Sequence, residues 1–341
     1  MQNDIFVCPT SILTGINLDN KKLNLAICGI GRFASRRIIP ALVKCKNIEL
    51  SAIVNRSSKL GAPYSSVHRY YDLNDLIAEK AADAVYIASP NIFHAEQAIL
   101  CLKSGLHVLC EKPMATNYKD CQSMLSIAKK MNLNLGVGHM LRFSPALKLA
   151  RMWLNEGSLG ELLKFSLIFH YKLPERNRSW VNDKKLSGGG VLLDAGTHCI
   201  DVIRFFLGNN IITSSAKIDK NYFHGGVESE AILKFKCDNV RGSIDLNSRS
   251  EYKTFLEISG SEGIISIESF AATWESVTVT LYNHNKSRVL KEAVVDVSEI
   301  YVSQLNEFVN NVKNTAINTL DYSAAENVKI IEEFYSLAII Q

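Results

Sequence analysis

The chain has 341 residues, of which 47% are hydrophobic and 21% charged; this is long enough for two domains with buried cores and excludes disorder as the main state. Its net charge of +4 comes from interspersed residues of both signs, with no basic block of the kind that tracks nucleic acid, and the slight excess suits an anionic cofactor or substrate. No run approaches the ~18 apolar residues that span a bilayer, and residues 1–13, which contain Asp4 and lack a cationic start, do not read as a signal peptide.

Eight cysteines are scattered without a C-x-x-C pair or zinc spacing, several of them in apolar runs, as buried thiols are. A reducing, cytoplasmic setting is expected. Residues 1–22 are a leader or arm whose structure the sequence does not decide.

From residue 23 the chain alternates strand and helix. An apolar strand over 23–28 runs into Gly29-Ile-Gly-Arg-Phe-Ala34, and residues 35–43 carry Ile38, Ile39 and Leu42 at helical spacing. Strand, glycine turn and helix form the setting in which G-x-G-x-x-A binds a dinucleotide. Gly29 permits the tight turn, Gly31 lets the backbone approach a pyrophosphate, and Ala34 lets the helix pack on the strand. Arg32 adds a charge beside the phosphates, and Phe33 completes the run.

The second strand, 48–54, ends at Asn55-Arg56-Ser57-Ser58. An acid there would grip the 2′-hydroxyl of NAD; an arginine followed by hydroxyls suits a 2′-phosphate, so NADP(H) is favoured over NAD(H). A solvated polar turn is the competing reading. A helix is predicted within 70–81, starting near Asn74, and a strand over 84–88 that ends in Ser89-Pro90-Asn91-Ile-Phe-His94, whose Asn91 and His94 are placed to line the cofactor. After a helix over 95–104 comes a short strand over 108–110 that Pro113 stops, since proline has no N–H to give a ladder. Glu111 and Lys112 therefore stand at the C-terminal end of a strand, facing the crevice where open α/β sheets bind ligands. A helix over 118–131 and a strand over 133–137 follow, ending at Gly138-His139-Met-Leu-Arg142. This alternation predicts a right-handed parallel sheet.

Beyond Arg142 the pattern changes. A helix over 146–156, an alternating strand over 164–173 and a polar stretch lead to Gly188-Gly189-Gly190, which reads as an unobstructed approach for a ligand. The helix that follows carries Asp194, His198 and Asp201 on one face, at i, i+4 and i+7. In the polar stretch, Arg176 and Arg178 either meet a phosphate or are solvated. Strands over 228–235, 240–246, 254–258, 264–267 and 277–282 with short connections predict a mainly antiparallel sheet, and helices are expected over 301–312 and 324–340.

Together, Gly29 to Ala34, Ser89-Pro90-Asn91 with His94, Glu111-Lys112-Pro113, Arg142-Phe-Ser-Pro145 and Gly188-Gly-Gly-x-x-x-Asp194-x-x-x-His198-x-x-Asp201 resemble the glucose–fructose oxidoreductase, inositol dehydrogenase and MocA family of NAD(P)-dependent oxidoreductases. The resemblance runs from about residue 23 to the end. It implies a Rossmann domain with a parallel sheet over 23–141. A C-terminal α+β domain over 142–341 would follow, with an open, mostly antiparallel sheet for substrate binding and self-association to a dimer or tetramer. The last helix would pack back on the Rossmann domain.

It also implies a cis Lys112–Pro113 bond and hydride transfer between the nicotinamide and a CH–OH or C=O carbon of a sugar or cyclitol. Lys112 and His198 would share the proton, with Asp194 orienting His198 or holding a substrate hydroxyl and Asp201 structural. Arg142 and His139 would touch cofactor or substrate, and Trp180 would cover the nicotinamide; Val181 stands where the family often has arginine. A metal site on Asp194, His198 and Asp201 lacks a fourth ligand, so none is expected. Other readings are a non-catalytic dinucleotide-sensing regulator and a reductase of a non-sugar ring such as a dihydrodiol; neither a nucleic-acid nor a membrane partner is expected.

Overall fold

The computed structural model describes residues 22–55, 67–173, 179–219, 225–314 and 320–340. Residues 1–21 of the leader, Arg56 and Ser57 of the expected phosphate contact, and Arg176 and Arg178 lie outside them.

Six parallel strands form the first sheet: β1 (Leu23–Cys28), β2 (Ile48–Val54), β3 (His68–Tyr70), β4 (Ala84–Ile87), β5 (His107–Cys110) and β6 (Leu135–Val137), in the order β3-β2-β1-β4-β5-β6. Every residue of β4 is buried, as expected for a central strand covered on both faces. Alternation along β1 sends Leu25 and Ile27 into one core and Ala26 and Cys28 into the other. Each fully buried Leu or Ile contributes on the order of 1.5–3 kcal/mol.

The connecting helices are α1 (Ile39–Lys44), α2 (Leu73–Ala78), α3 (His94–Lys103) and α4 (Tyr118–Met131). The caps explain the bounds of α4: the Asn117 side chain accepts from the Asp120 N–H, and Asn132 closes the helix in the left-handed region with φ 54°.

Two stretches differ from expectation here. The helix after the glycine turn opens as a π turn, Ala34–Ile38, closed by the Ile39 N–H donating to the Ala34 carbonyl. Pro40 has no N–H to give the Arg36 carbonyl, so a regular α turn is denied at that point. Within 70–81, Tyr70 belongs to β3, and the helix is only α2, capped by the Asp72 side chain on the Asn74 N–H.

The second half adds α5 (Pro145–Asn155), β7 (Leu162–Lys172), α6 (Lys184–Ser187), α7 (Val191–Leu207), β8 (Ile211–Asp219), β9 (Glu230–Cys237), β10 (Val240–Asn247), β11 (Arg249–Gly260), β12 (Gly263–Glu268), β13 (Ser276–Asn283), β14 (Val289–Asp296), α8 (Ile300–Lys313), α9 (Leu320–Leu337) and β15 (Ala338–Ile340). Its nine strands are ordered β14-β13-β12-β11-β7-β10-β9-β8-β15, antiparallel except for the β7/β10 and β8/β15 pairs. In β9, Ala231, Leu233, Phe235 and Cys237 are buried, while the residues between them face outward, so this sheet has one helix-covered face.

The expected helix over 324–340 starts earlier, at Leu320, and stops at Leu337; the chain then adds β15 alongside β8. The strands β8 and β14 have no counterpart in the sequence expectation.

The last two helices return to the first sheet. Phe308 and Val309 of α8 join the core of Leu25 and Ile27, and Ala324, Ala325 and Val328 of α9 join that of Cys110 and Cys121. On α9, Glu326 accepts from the Tyr118 hydroxyl (2.7 Å) and Glu332 from the Tyr118 N–H (2.9 Å), while Glu333 accepts from Thr213 of β8 (3.3 Å).

Candidate active site

The site is built at the C-terminal ends of the first sheet's strands. Gly29, at φ +92°, follows β1; a Cβ there would lie 2.8 Å from the Ala88 carbonyl carbon and the Ser89 nitrogen, which only glycine avoids. At Gly31 a Cβ would meet nothing within 4 Å, because the backbone there borders open space. That space is two adjoining cavities. One, of about 420 Å³, is lined among others by Gly29, Gly31, Asn55, Tyr71, Ser89 and Pro90. The other, of about 470 Å³, is lined among others by Arg32, Phe33, Ala34, Asn91, His94, Glu111, Lys112, Tyr171, Asp194, His198 and Tyr301. Gly31, Ala88, Ser89 and Trp180 border both. A glycine-lined cradle at a helix start, opening into a long cleft, fits a dinucleotide.

Lys112 enters the second cavity directly after β5, and its bond to Pro113 is cis. Its Nζ lies 2.5 Å from Asp194 Oδ1 and donates to the Asp194 carbonyl at 3.2 Å. The other carboxylate oxygen of Asp194 accepts from the Tyr171 hydroxyl at 2.9 Å. Three elements thus converge: the end of β5, the first turn of α7 and the end of β7. One turn along α7, the His198 ring stacks on Phe169 with centroids 5.9 Å apart and planes 9° off parallel. Burial pushes the imidazole pKa well below its ordinary value, the Lys112 charge adding to that and Asp194 opposing it. His198 is therefore neutral at neutral pH, with a buried Nδ1 that has no hydrogen-bond partner among the described residues.

Glu111 forms the floor. Its carboxyl accepts from the buried Tyr86 hydroxyl and from the Lys112 N–H at 3.2 Å, and burial raises its pKa to about 7, against these hydrogen bonds and the Lys112 charge. His94 is held between the Pro113 carbonyl (2.8 Å) and the Ser89 carbonyl (3.0 Å), and Asn91 donates to the Ser187 carbonyl at 2.9 Å. Both residues line the cavity and also fasten its walls together.

Other predicted site residues stand elsewhere. Arg142 and His139 line neither cavity. Arg142 Nε donates to both oxygens of Asp201 at 2.9 Å, Asn327 donates to Asp201 Oδ1 at 2.9 Å, and His139 Nδ1 lies 3.8 Å from that oxygen. Where contact with cofactor or substrate was expected, these residues supply the partners that a buried carboxylate needs. Burial lowers the His139 pKa to about 4, with Asp201 opposing.

The glycine run packs closely against protein as well. A Cβ on Gly190 would lie 2.0 Å from the Glu228 carbonyl oxygen, and one on Gly189 2.4 Å from the Tyr335 hydroxyl. Gly189 and Gly190 thus admit neighbouring protein at close range, and Gly189 also borders the second cavity. Glu228 then caps α7, accepting from the Gly190 and Leu192 N–H groups at 2.9 and 3.0 Å and from the Tyr335 hydroxyl at 2.7 Å.

Sequence reasoning passed over Tyr171, Phe169, Tyr86 and Tyr301. Tyr171 and Phe169 sit in an alternating strand that gives no sign of which end meets the cleft. Tyr86 lies in an apolar strand and Tyr301 in an amphipathic helix, where aromatic residues normally serve packing. Among the described residues, no group of three or more His, Cys, Asp and Glu is placed to hold a metal.

Residues 23–139 match the oxidoreductase family with an NAD-binding Rossmann fold, and residues 147–266 match the GFO/IDH/MocA C-terminal domain. The chain belongs to this family of NAD(P)-dependent oxidoreductases. It is 26% identical over 291 residues to a 1,5-anhydro-D-fructose reductase of Ensifer adhaerens, covering 83% of this chain and 86% of the relative. It is 27% identical over 325 residues to the scyllo-inositol 2-dehydrogenase (NADP(+)) IolU of Bacillus subtilis (strain 168), covering 91% and 95%. In fold it resembles KijD10, a 3-ketoreductase from Actinomadura kijaniata solved with NADP and TDP-benzene. The TM-score is 0.87 at 20% identity, over 94% of this chain and 99% of that one.

Proposed function

We propose that this enzyme oxidises or reduces a CH–OH/C=O carbon of a sugar, sugar derivative or cyclitol with NADP(H), and that Lys112, Asp194 and His198 do the proton and charge work. The observation that carries the reading is the Lys112–Asp194–Tyr171 set facing His198 in a cavity continuous with the glycine cradle. Bound nicotinamide supplies the hydride acceptor or donor. Lys112, held by Asp194, stabilises charge growing on the substrate oxygen, and the neutral His198 takes or returns the hydroxyl proton. Asp194 and Tyr171 bind neighbouring hydroxyls, and Trp180 closes the cleft.

Three points support NADP(H) over NAD(H): Asn55 follows β2 where an acid would select NAD, Arg56 and Ser57 come next in sequence, and the relative IolU is NADP-dependent by name. The sugar class rests on relatives that act on anhydro-sugar and inositol. A cytoplasmic enzyme self-associating through the outer face of the nine-stranded sheet completes the reading; among the described residues, no helix is long and apolar enough to cross a membrane.

The test is fluorescence titration with NADPH and NADH, followed by absorbance assays on keto-sugars, sugars and inositols. Tighter NADPH binding with turnover on one class is expected. Binding without turnover on any of them would favour a dinucleotide sensor, and no binding of either nucleotide would sink the reading.

A further inference from the structure

The cavity wall made by Phe33 and Tyr301 continues outward into an aromatic surface that the reaction centre does not use. Phe33 and Tyr301 meet edge to face at 5.8 Å, and the Tyr301 hydroxyl is hydrogen-bonded to Thr273. The next residue, Trp274, is 49% exposed, and beside it Tyr252 is 42% exposed, the two ring centroids 5.6 Å apart with planes at 54°. Arg37, about one turn along its helix from Phe33, holds its guanidinium carbon 5.3 Å from the Trp274 ring centroid.

Sheet register explains why this surface stands at the reacting end. Thr254 of β11 is paired with Phe169 of β7, and Phe169 stacks on His198. Phe270, at the start of the loop that carries Trp274, packs on Phe169 at 6.1 Å. Tyr252 and the 270–274 loop therefore lie next to the end of β7, whose Phe169 and Tyr171 line the pocket.

Two large aromatic rings left half in water beside an active-site cleft are a binding surface by the logic of exposed apolar patches. Charge narrows the ligand. Arg37 and Glu275 both act on Tyr252, with opposite signs, so a cation and an anion both stand beside the rings. A diphosphate would meet Glu275 unfavourably. A neutral pyranose ring suits both: its C–H face lies on the indole and phenol, and its hydroxyls reach the guanidinium and the carboxylate.

We propose that Tyr252, Trp274, Arg37 and Glu275 form a subsite for the second sugar ring of a neutral glycoside whose first ring is held at Lys112 and His198. This rests on the sugar reading given above. The natural substrate class is then a disaccharide or similar glycoside rather than a free monosaccharide or a nucleotide sugar.

Steady-state rates with NADP+ on glucose, galactose and myo-inositol, on cellobiose, lactose, maltose and trehalose, and on UDP-glucose test this. At least one disaccharide is expected to exceed its monosaccharide in kcat/KM by tenfold or more. Trp274→Ala is expected to raise KM for that disaccharide about tenfold while leaving its kcat and the monosaccharide rate unchanged. Tyr252→Ala should act in the same direction, and Trp274→Phe should retain most of the advantage. A monosaccharide or UDP-glucose preferred throughout, or equal losses on one-ring and two-ring substrates, would overturn the subsite while leaving the sugar reading intact. No turnover on any of these compounds, with NADPH still bound, would overturn both.

Discussion

Two carboxylates on α7, Asp194 and Asp201, are two turns apart on one helical face and live in different worlds. Asp194 is partly exposed, borders the cavity and shares its oxygens between Lys112 and Tyr171. Asp201 is 1% exposed and is held by Arg142 and Asn327 beside His139. The first arrangement leaves a cation and two ionisable side chains able to engage a ligand; the second uses its hydrogen bonds to join three segments of the chain. Spacing along a helix thus brings acids into line, and burial decides which of them can do chemistry.

The largest expected effect on this contrast comes from Asp201→Ala. It strips the partly buried Arg142 of its carboxylate and should cost about 3–5 kcal/mol of stability, read as a lower urea midpoint. Asp194→Asn should change that midpoint far less. Lys112→Ala should do the reverse: turnover falls about 10³-fold, ~4 kcal/mol in the barrier, while NADPH affinity and the urea midpoint stay close to the parent. Equal loss of affinity and turnover would make Lys112 a cofactor anchor.

The smallest effect is a pH dependence. The His139 pKa is about 4 in the folded protein against an ordinary 6.5, so the unfolded chain takes up the proton first. Stability supplied by the neutral ring is complete above about pH 6.5 and is lost as pH falls towards 4, by about 3 kcal/mol in all. His139→Asn should flatten that part of the profile; an unchanged slope would place the acid sensitivity elsewhere.

The parallel sheet was legible in the sequence because its buried strands are continuous apolar runs punctuated by Gly29, Gly105 and Pro113. The first cradle was legible for the same reason, since a glycine turn between strand and helix has few other uses. What escaped was decided by contacts far apart in sequence. The edge strand β14 is mostly exposed, so burial imposed no alternation on it, and β15 exists because β8 offers an open edge. Arg142 and His139 lie near the functional residues in sequence, yet Asn327, 126 residues beyond Asp201, completes the cluster that claims them. The triple glycine carried the right signal, a need for close approach, but not the identity of the neighbour, which is Glu228 and Tyr335. Tyr171 became visible only when β7 was seen to end against α7.

The final helix has a mechanical consequence. Through Tyr118 it is fastened to α4, through Asn327 to the Asp201 cluster on α7, and through Thr213 to β8. A segment bonded to both layers acts as a tie between them. Parting Lys112 from Asp194 by sliding one layer past the other would therefore cost the bonds that α9 makes to both.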